Sequence, residues 1–331
     1  MRLENILALT HGKLVNEPFV KIFENIVLEV KKVKRGDFFI AFDEETIEEA
    51  IFNGAYGIMF DKPTQISDTE IAWVKVDDCE DALKRLLRFR LIEKEVKVYE
   101  CNEIILKLSL QVITEPNFIS VSGDIKSIYK QLWHVETNST LLFCPESCDK
   151  NIFTDIKKLS STAIEPITIM EQTLFETSFI YDNIFYERQL ISPFFMPYLE
   201  ELLHLYKTLK INFRLRKFTP IEHFEAVFTN KNFEIKEFGA SDKVLIFEPN
   251  TSLIDQEIAY LQRSANWANV IYIVPHTVNT REDEGIFVYE NSNQIIDILK
   301  NNSFHFALVV GVDKTILSKP IVTQAQLTLE F

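Results

Sequence analysis

The spacing of apolar and polar residues divides the chain into three successive segments of mixed helices and strands. The first opens with the periodicity of a helix over Leu3–Leu9, and a second helix over Glu44–Asn53 lies between short apolar runs typical of strands. A longer periodic run, Cys79–Leu91, carries basic residues in its later turns, as the end of a helix favours. We therefore expect a small α/β domain over residues 1–94.

The two later segments alternate strands with helices. In residues 95–218 the pattern predicts strands at Phe118–Val121 and Thr140–Cys144 and helices at Glu103–Val112, at Lys126–Leu132, near Ile152–Leu159 and at Pro197–Leu209. In residues 219–331 it predicts strands at Lys243–Phe247, Val270–Val274, Gly285–Tyr289 and Phe306–Val310 and helices at Ser252–Arg263 and Ser292–Asn301. Such alternation is typical of parallel sheets with helices on their faces, so we expect an α/β protein of three domains.

The stretch NFISVSGDIKSIYK, residues 117–130, has the strand, turn and helix of a nucleotide-binding phosphate loop. Gly123, Lys126 and Ser127 stand where a G-x-x-G-K-S/T loop has its first glycine, its lysine and its hydroxyl. One residue and the second glycine are missing, and Asp124 and Ile125 stand where an anion would lie. We therefore take Gly123, Lys126 and Ser127 as the candidate cofactor-binding residues of a degenerate phosphate loop.

Two interpretations of this turn remain open. Lys126 and Ser127 could contact an anion at the amino terminus of the helix, where free N–H groups and the helix dipole attract negative charge. Alternatively, the side chain of Ser122 or Asp124 caps the helix.

Net charge and apolar content exclude several classes of function. A formal charge of −14 argues against non-specific binding to DNA, RNA or anionic membranes. The basic strips Lys31–Arg35 and Arg214–Lys217 are local exceptions, and each could be a solvated edge or a binding patch. Neither a membrane-spanning run nor a signal-peptide pattern is present in the sequence, so we expect a cytoplasmic protein without membrane insertion.

The remaining candidate chemistry is weak. Cys144 and Cys148, with His134 nearby, lack the spacing and the second pair of a zinc site, so no metal site is predicted, and the cysteines are expected to be reduced thiols. No histidine has a partner at triad spacing, and no catalytic residue is assigned. Five phenylalanines could line a ligand slot, fill a core or form a partner interface: Phe175, Phe179, Phe185, Phe194 and Phe195.

Four sequence blocks follow one another in an order that suggests a family. Residues 29–42, EVKKVKRGDFFIAF, look like D-S-R-x-V-x-P-G-D-L-F-x-A-L, and residues 50–58, AIFNGAYGI, look like A-x-x-x-G-A-x-A-V. The degenerate loop falls where T-G-S/T-x-G-K-T would open an ATPase domain, and residues 193–220 and 305–319 are similar to later blocks. Together the blocks resemble the Mur ligases of peptidoglycan synthesis, most closely the D-alanyl-D-alanine-adding member.

This resemblance covers nearly the whole chain and implies a fold. It implies a small amino-terminal α/β domain of the kind that binds the UDP substrate, residues 1–94, and a truncated central parallel-sheet domain like those with phosphate loops, residues 95–218. It also implies a Rossmann-like α/β carboxy-terminal domain, residues 219–331. Any activity would lie in the cleft between the three domains, reached by Gly123, Lys126, Asn250 and Lys314.

The departures from the family pattern fall on residues that would contact ligands. D-S-R is replaced by Glu29-Val30-Lys31, and the late K-G-S-R is replaced by VGVDK at residues 310–314. The segment between Gly123 and Cys144 lacks the family's metal-binding middle. We therefore expect a non-catalytic Mur-ligase-like protein without a cofactor. Its expected role is that of an interaction or regulatory factor, with a protein partner, in cytoplasmic peptidoglycan precursor synthesis.

Two alternatives stay open under the same resemblance. The first is a divergent ATP-dependent ligase that forms an amide bond on a UDP-MurNAc-peptide, with Lys126 on phosphate, Ser127 on Mg²⁺, and ATP and Mg as cofactors. The second is a module that binds a nucleotide or a UDP-linked precursor without turnover.

Overall fold

The computed structural model describes residues 1–159, 166–237, 241–278 and 285–318. Within these residues the chain forms two compact units. The first contains residues 1–110, 114–159 and 209–213, and the second contains residues 111–113, 166–208, 214–237, 241–278 and 285–318. The boundaries predicted at residues 94 and 218 stay predictions.

A five-stranded sheet forms the amino-terminal part of the first unit. Its strands are β1 (Lys13–Leu14), β2 (Ile26–Val27), β3 (Phe38–Ile40), β4 (Gly57–Phe60) and β5 (Ala72–Lys75), in the order β1-β5-β4-β3-β2. β2 to β5 are parallel, and β1 is antiparallel to β5. The helices are α1 (Leu3–Thr10), α2 (Ile47–Phe52) and α3 (Cys79–Glu93), with 3-10 turns at Val30–Lys32 and Glu44–Thr46.

Strands β3 and β4 are buried along their whole length, as their continuous apolar sequences FFI and GIMF require. Gly57 opens β4 because a Cβ atom at this position would lie 2.4 Å from a ring carbon of Phe38. That ring packs edge to face on Phe23, with 4.8 Å between ring centroids. The glycine is therefore set by the aromatic packing beneath it.

A second parallel sheet completes the first unit. Its strands are β6 (Lys97–Glu100), β8 (Phe118–Val121), β9 (Thr140–Phe143) and β10 (Ile156–Lys158), in the order β10-β6-β9-β8, while the short strand β7 is Ile113–Thr114. The helices are α4 (Glu103–Ser109) and α5 (Ile125–Leu132). Helix α3 packs against both α1 and α5, and one apolar cluster runs from Met59 through Leu87 to Phe143. The two sheets thus share a core.

The helix predicted near Ile152–Leu159 is wrong. Lys150–Ile152 is a 3-10 turn, and Ile156–Lys158 is strand β10, which pairs in parallel with β6. The buried residues Ile152 and Phe153 belong to the turn, so the apolar spacing that suggested a helix comes from a turn followed by an edge strand.

The second unit begins with a three-stranded antiparallel sheet and a helix. Its strands are β11 (Thr168–Gln172), β12 (Thr177–Tyr181) and β13 (Ile184–Gln189). Asp182 and Asn183 both have positive φ, 49° and 62°, which is the backbone of a type I′ hairpin turn. Ser192 caps the 3-10 turn Pro193–Phe195, which leads into α6 (Met196–Thr208). The short strand β14 is Phe213–Arg214.

A five-stranded sheet forms the rest of the second unit. Its strands are β15 (Glu225–Thr229), β16 (Lys243–Glu248), β17 (Val270–Pro275), β18 (Ile286–Tyr289) and β19 (Phe306–Val310), in the order β15-β16-β19-β17-β18. Only β15 is antiparallel to its neighbour. The helices are α7 (Ile254–Ser264) and α8 (Ser292–Asn301), with 3-10 turns at Thr251–Leu253 and Lys314–Ser318.

The three larger sheets, with mostly parallel strands, confirm the predicted α/β class. The antiparallel sheet of β11, β12 and β13 was not predicted. Within the described part of the chain, no helix is both long and apolar enough to cross a membrane.

Candidate functional site

The turn predicted to be a degenerate phosphate loop lies in the first unit, between β8 and α5. Gly123 forms the turn with φ of +110°, a conformation that favours glycine. Its N–H donates to the carbonyl of Ser147 at 3.3 Å. The glycine kept from the phosphate-loop pattern therefore serves the turn, and its own N–H already has a partner within the chain.

Asp124 caps the helix that follows this turn. Its carboxylate accepts a hydrogen bond from the backbone N–H of Ser127 at 2.8 Å. Hydrogen bonds from the side chain and backbone of Ser127 lower the pKa of the Asp124 carboxyl. The Asp124 side chain thus caps the helix, as one of the two interpretations expected, and places a negative charge near its amino terminus.

Lys126 lies against an aromatic ring. Its Nζ is 3.8 Å from the ring centroid of Phe42, within range of a cation–π interaction. The same side chains line a small cavity of about 190 Å³, together with Thr46 and Lys130. The lysine therefore stabilises a contact with the segment that follows β3.

A larger cavity of about 590 Å³ lies beside the carboxy-terminal half of α5. Glu29 lies at the boundary between the two cavities and lines both. Its carboxylate forms ion pairs with Lys130 at 2.5 Å and with Lys32 at 3.1 Å. Hydrogen bonds from Lys130 and then Lys32 lower the pKa of Glu29. The cavity is lined by Asn25, Ile26, Val27, Leu28, Glu29, Lys31, Lys32, Val33, Lys34, Asp37, Tyr129, Lys130, Trp133 and His134.

The walls of the larger cavity combine fixed polar groups with aromatic rings. Asp37 is buried and accepts hydrogen bonds from Asn25 Nδ2 at 3.0 Å and from the N–H of Lys34 at 2.9 Å. Tyr129 donates its hydroxyl proton to the carbonyl of Ile26 at 2.8 Å, and its ring stacks on Trp133 with centroids 4.7 Å apart. Burial raises the pKa of Tyr129.

The basic strip Lys31–Arg35 contributes three lysines to the lining of this cavity, and Lys130 adds a fourth. Arg35 instead donates to the hydroxyl of Tyr56 at 2.9 Å. A cavity with lysines at its lining and an aromatic wall is chemically suited to an anion joined to a planar or apolar group.

Asn250 and Lys314 belong to the second unit, where each has a local partner. The side-chain oxygen of Asn250 accepts hydrogen bonds from the N–H and hydroxyl of Ser252, and Lys314 Nζ lies 2.7 Å from Glu225 Oε1. Among the phenylalanines, Phe179 and Phe195 are buried and Phe185 is exposed, whereas Phe175 and Phe194 both pack against Phe224. The five phenylalanines are therefore divided between core and surface.

The four cysteines are free thiols and are buried. Burial raises the pKa of Cys79, Cys144 and Cys148 to about 12, and Cys144 Sγ donates to Glu146 Oε2 at 2.6 Å. The described ranges contain no group of three or more His, Cys, Asp or Glu side chains that could hold a metal ion.

One cluster was not foreseen from the sequence. His223, Glu248 and Glu257 are buried together in the second unit. Two signals in the sequence point to it: Glu248 ends an apolar strand, KVLIFE, and Glu257 occupies the helical spacing of the buried residues Ile254 and Leu261.

Comparison with known proteins finds structures with a similar fold. No family model and no curated protein match the chain. The structure is similar to MurF from Acinetobacter baumannii, with a TM-score of 0.50, 9% identity, and 93% of this chain and 95% of that chain covered. MurF ligase from Thermotoga maritima in complex with ADP gives a TM-score of 0.45 at 12% identity, covering 88% of this chain and 95% of that chain.

A further structure from Acinetobacter baumannii, the UDP-N-acetylmuramoylalanyl-D-glutamyl-2,6-diaminopimelate–D-alanyl-D-alanyl ligase, gives a TM-score of 0.45 at 10% identity. It covers 94% of this chain and 95% of that chain. The similarity to the first MurF structure confirms the predicted Mur ligase-like fold, and at 9% identity it concerns the fold alone.

The hydrogen bond between Asp124 and Ser127 gives a testable prediction. We expect Asp124→Ala to lower the melting temperature at neutral pH, because the Ser127 N–H loses its acceptor. The carboxyl has a lowered pKa in the fold, so its stabilisation is present above its unfolded value and is lost as the pH falls through the folded value. The difference between variant and native chain should therefore shrink in acid. Thermal unfolding followed by circular dichroism, from about pH 7 to about pH 2, measures both effects.

Asp124→Asn is the matched control. Its amide oxygen caps the helix without a charge, so it should keep most of the stability at neutral pH without the same dependence on acid. Equal melting temperatures for the native chain and Asp124→Ala at neutral pH would contradict the role given to the carboxylate.

Proposed function

Because the chain has a Mur ligase-like fold, we propose that it is a non-catalytic relative of the peptidoglycan precursor ligases. Its proposed role is that of a cytoplasmic interaction or regulatory factor in precursor synthesis. The observation that carries this proposal is the Asp124 carboxylate on the N–H of Ser127, at the amino terminus of α5.

A phosphate at this turn would have to displace a group of the same charge. The Asp124 carboxylate already accepts from Ser127, and the N–H of Gly123 already donates to Ser147. The Lys126 ammonium lies over the ring of Phe42. Phosphoryl transfer depends on cations and N–H donors placed around the transferring group, so these contacts argue against catalysis at this loop.

A protein partner in cell-wall synthesis belongs to the proposal, because a factor without turnover acts through what it binds. Large apolar side chains on the surface are the positions at which to look for such a contact. Phe19 is 87% exposed, Phe52 is 91% exposed and Trp267 is 71% exposed. The proposed role requires no cofactor.

Titration with ATP and Mg²⁺ tests the absence of catalysis. We expect the melting temperature to change by less than about 1 °C at millimolar Mg-ATP, because a ligand that does not bind the folded state does not stabilise it. Lys126→Ala should respond in the same way, and Lys75→Ala, which removes an exposed lysine of β5, is its matched control.

The alternative function, a divergent ATP-dependent ligase, predicts the opposite result. A rise of several degrees with Mg-ATP in the native chain and in Lys75→Ala, abolished in Lys126→Ala, would show that the loop binds the nucleotide. It would overturn the non-catalytic proposal and make ligase assays the next step.

The larger cavity favours a second candidate function, a module that binds a UDP-linked precursor or another nucleotide without turnover. Lys31 and Lys34 supply positive charge beyond the Lys32 and Lys130 pairs with Glu29. Tyr129 and Trp133 supply an aromatic wall. A nucleoside diphosphate joins two phosphates to a planar base, so it matches both features.

Calorimetric titration with UDP and with a UDP-MurNAc-peptide tests this second function. If either binds in the cavity, replacing Lys31 and Lys34 together by alanine should weaken binding about tenfold or more, and added salt should weaken it further. Lys75→Ala should bind as the native chain does. Absence of binding, or binding that the double variant leaves unchanged, would exclude the cavity as a nucleotide site.

A further inference from the structure

Three ionisable side chains are enclosed within the second unit. His223 is 3% exposed, and Glu248 and Glu257 are each 0% exposed. They come from three elements: His223 precedes β15, Glu248 ends β16, and Glu257 lies in the first turns of α7. The proposed functions above use none of them.

Glu248 has several hydrogen-bond donors around it. Its Oε1 lies 2.8 Å from His223 Nδ1 and accepts from the N–H of Asn250 at 2.7 Å. Its Oε2 accepts from the N–H of Phe224 at 3.0 Å. Both oxygens of this buried side chain are therefore satisfied within the fold.

Glu257 has the opposite environment. Both of its oxygens are enclosed, and neither accepts a hydrogen bond from the residues that the structure describes. The negative charge of Glu248 disfavours a second charge on Glu257. Tyr198 of α6 interacts electrostatically with Glu257, Glu248 and its helix neighbour Glu201. A second buried negative charge without donors would be costly.

The protonation states follow from these surroundings. Burial, and then the charge of Glu248, raise the pKa of Glu257 to about 10. Burial also raises the pKa of Glu201, and burial followed by the charges of Glu257, Glu201 and Glu248 raises the pKa of Tyr198. A negative charge on Glu257, Glu201 or Tyr198 is therefore unfavourable in this part of the fold.

We propose that Glu257 binds one proton at neutral pH and donates it in a hydrogen bond to the carboxylate of Glu248. Folding of the second unit then takes up this proton. The pair joins α7 to the end of β16. One shared proton lets two carboxyl groups lie together where two negative charges would repel.

The proton is coupled to an aromatic cluster through Phe224. This residue has φ of +46°, a left-handed conformation that is strained for an aromatic side chain, and the Glu248 carboxylate holds its N–H. Its ring packs on Phe194 with centroids 5.5 Å apart and on Tyr260 at 5.6 Å. Loss of the proton would repel the carboxylate that fixes Phe224, so alkaline pH should loosen this ring cluster.

The direction of the pH effect follows from the difference between folded and unfolded states. Glu257 ionises at its ordinary value of 4.5 when unfolded and near 10 when folded. Folding therefore takes up one proton between these values. The contribution of this group to stability is fully present below the unfolded value and is lost as the pH rises through the folded value.

Comparison of the native chain with Glu257→Gln tests the proposal. Glutamine donates to Glu248 through its amide at any pH, so its variant should be more stable than the native chain by several degrees of melting temperature at about pH 9 and by less than about 1 °C at about pH 5. Asp255→Asn, an exposed change in the first turn of the same helix, is the matched control and should show a difference that does not vary with pH.

A direct measurement on the native chain keeps the proposal testable should Glu257→Gln fail to fold. Carbon-13 resonances of labelled glutamate side chains report protonation, and one buried glutamate should show the protonated value at neutral pH. If all glutamate carboxyls are ionised at neutral pH, or if the stability difference of Glu257→Gln is the same at every pH, the proposal is wrong.

Discussion

The hydrogen bond from the N–H of Ser127 to the Asp124 carboxylate governs the chemistry of the first unit. A helix amino terminus that follows a glycine turn attracts an anion, through its unpaired N–H groups and its dipole. Here a side chain of the same turn supplies that negative charge. The Asp124 carboxylate therefore occupies the N–H group of Ser127, which could otherwise contact an anion.

Other contacts of α5 are consistent with a structural role for its basic side chains. Lys126 packs on Phe42, and Lys130 pairs with Glu29, so both lysines bind the segment between β2 and α2 to the helix. Tyr129 adds a buried hydrogen bond to Ile26 in β2. These contacts tie the amino-terminal sheet to α5 and shape the two cavities.

Local periodicity predicted most of the fold because many elements carry a strong pattern. Strand Phe118–Val121, helix Ser292–Asn301 and strand Phe306–Val310 have the predicted bounds. The strands β6 and β15 and the antiparallel strands β11 to β13 were missed, and β10 was taken for a helix. β6, β10 and β15 have only three to five residues with charged residues among them, which gives too little alternation.

The candidate site was predictable only where its parts are neighbours in sequence. Gly123, Asp124 and Ser127 lie within about one helical turn of each other in the sequence, so the helix cap could be predicted. Phe42 meets Lys126 only through the packing of α5 on the amino-terminal sheet, which no local pattern reveals. The buried pair Glu248 and Glu257 was missed because each glutamate looks like an ordinary surface residue unless its apolar neighbours are weighed.

The central claim is that Asp124 takes the place of a phosphate at the amino terminus of α5. A crystal structure determined in the presence of Mg²⁺ and an ATP analogue that resists hydrolysis tests it most directly. The account predicts an empty turn, with the Asp124 carboxylate still on the N–H of Ser127 and Lys126 still on the ring of Phe42. Phosphate oxygens on the N–H groups of residues 123–127, with Asp124 turned away and Lys126 on the phosphate, would contradict it.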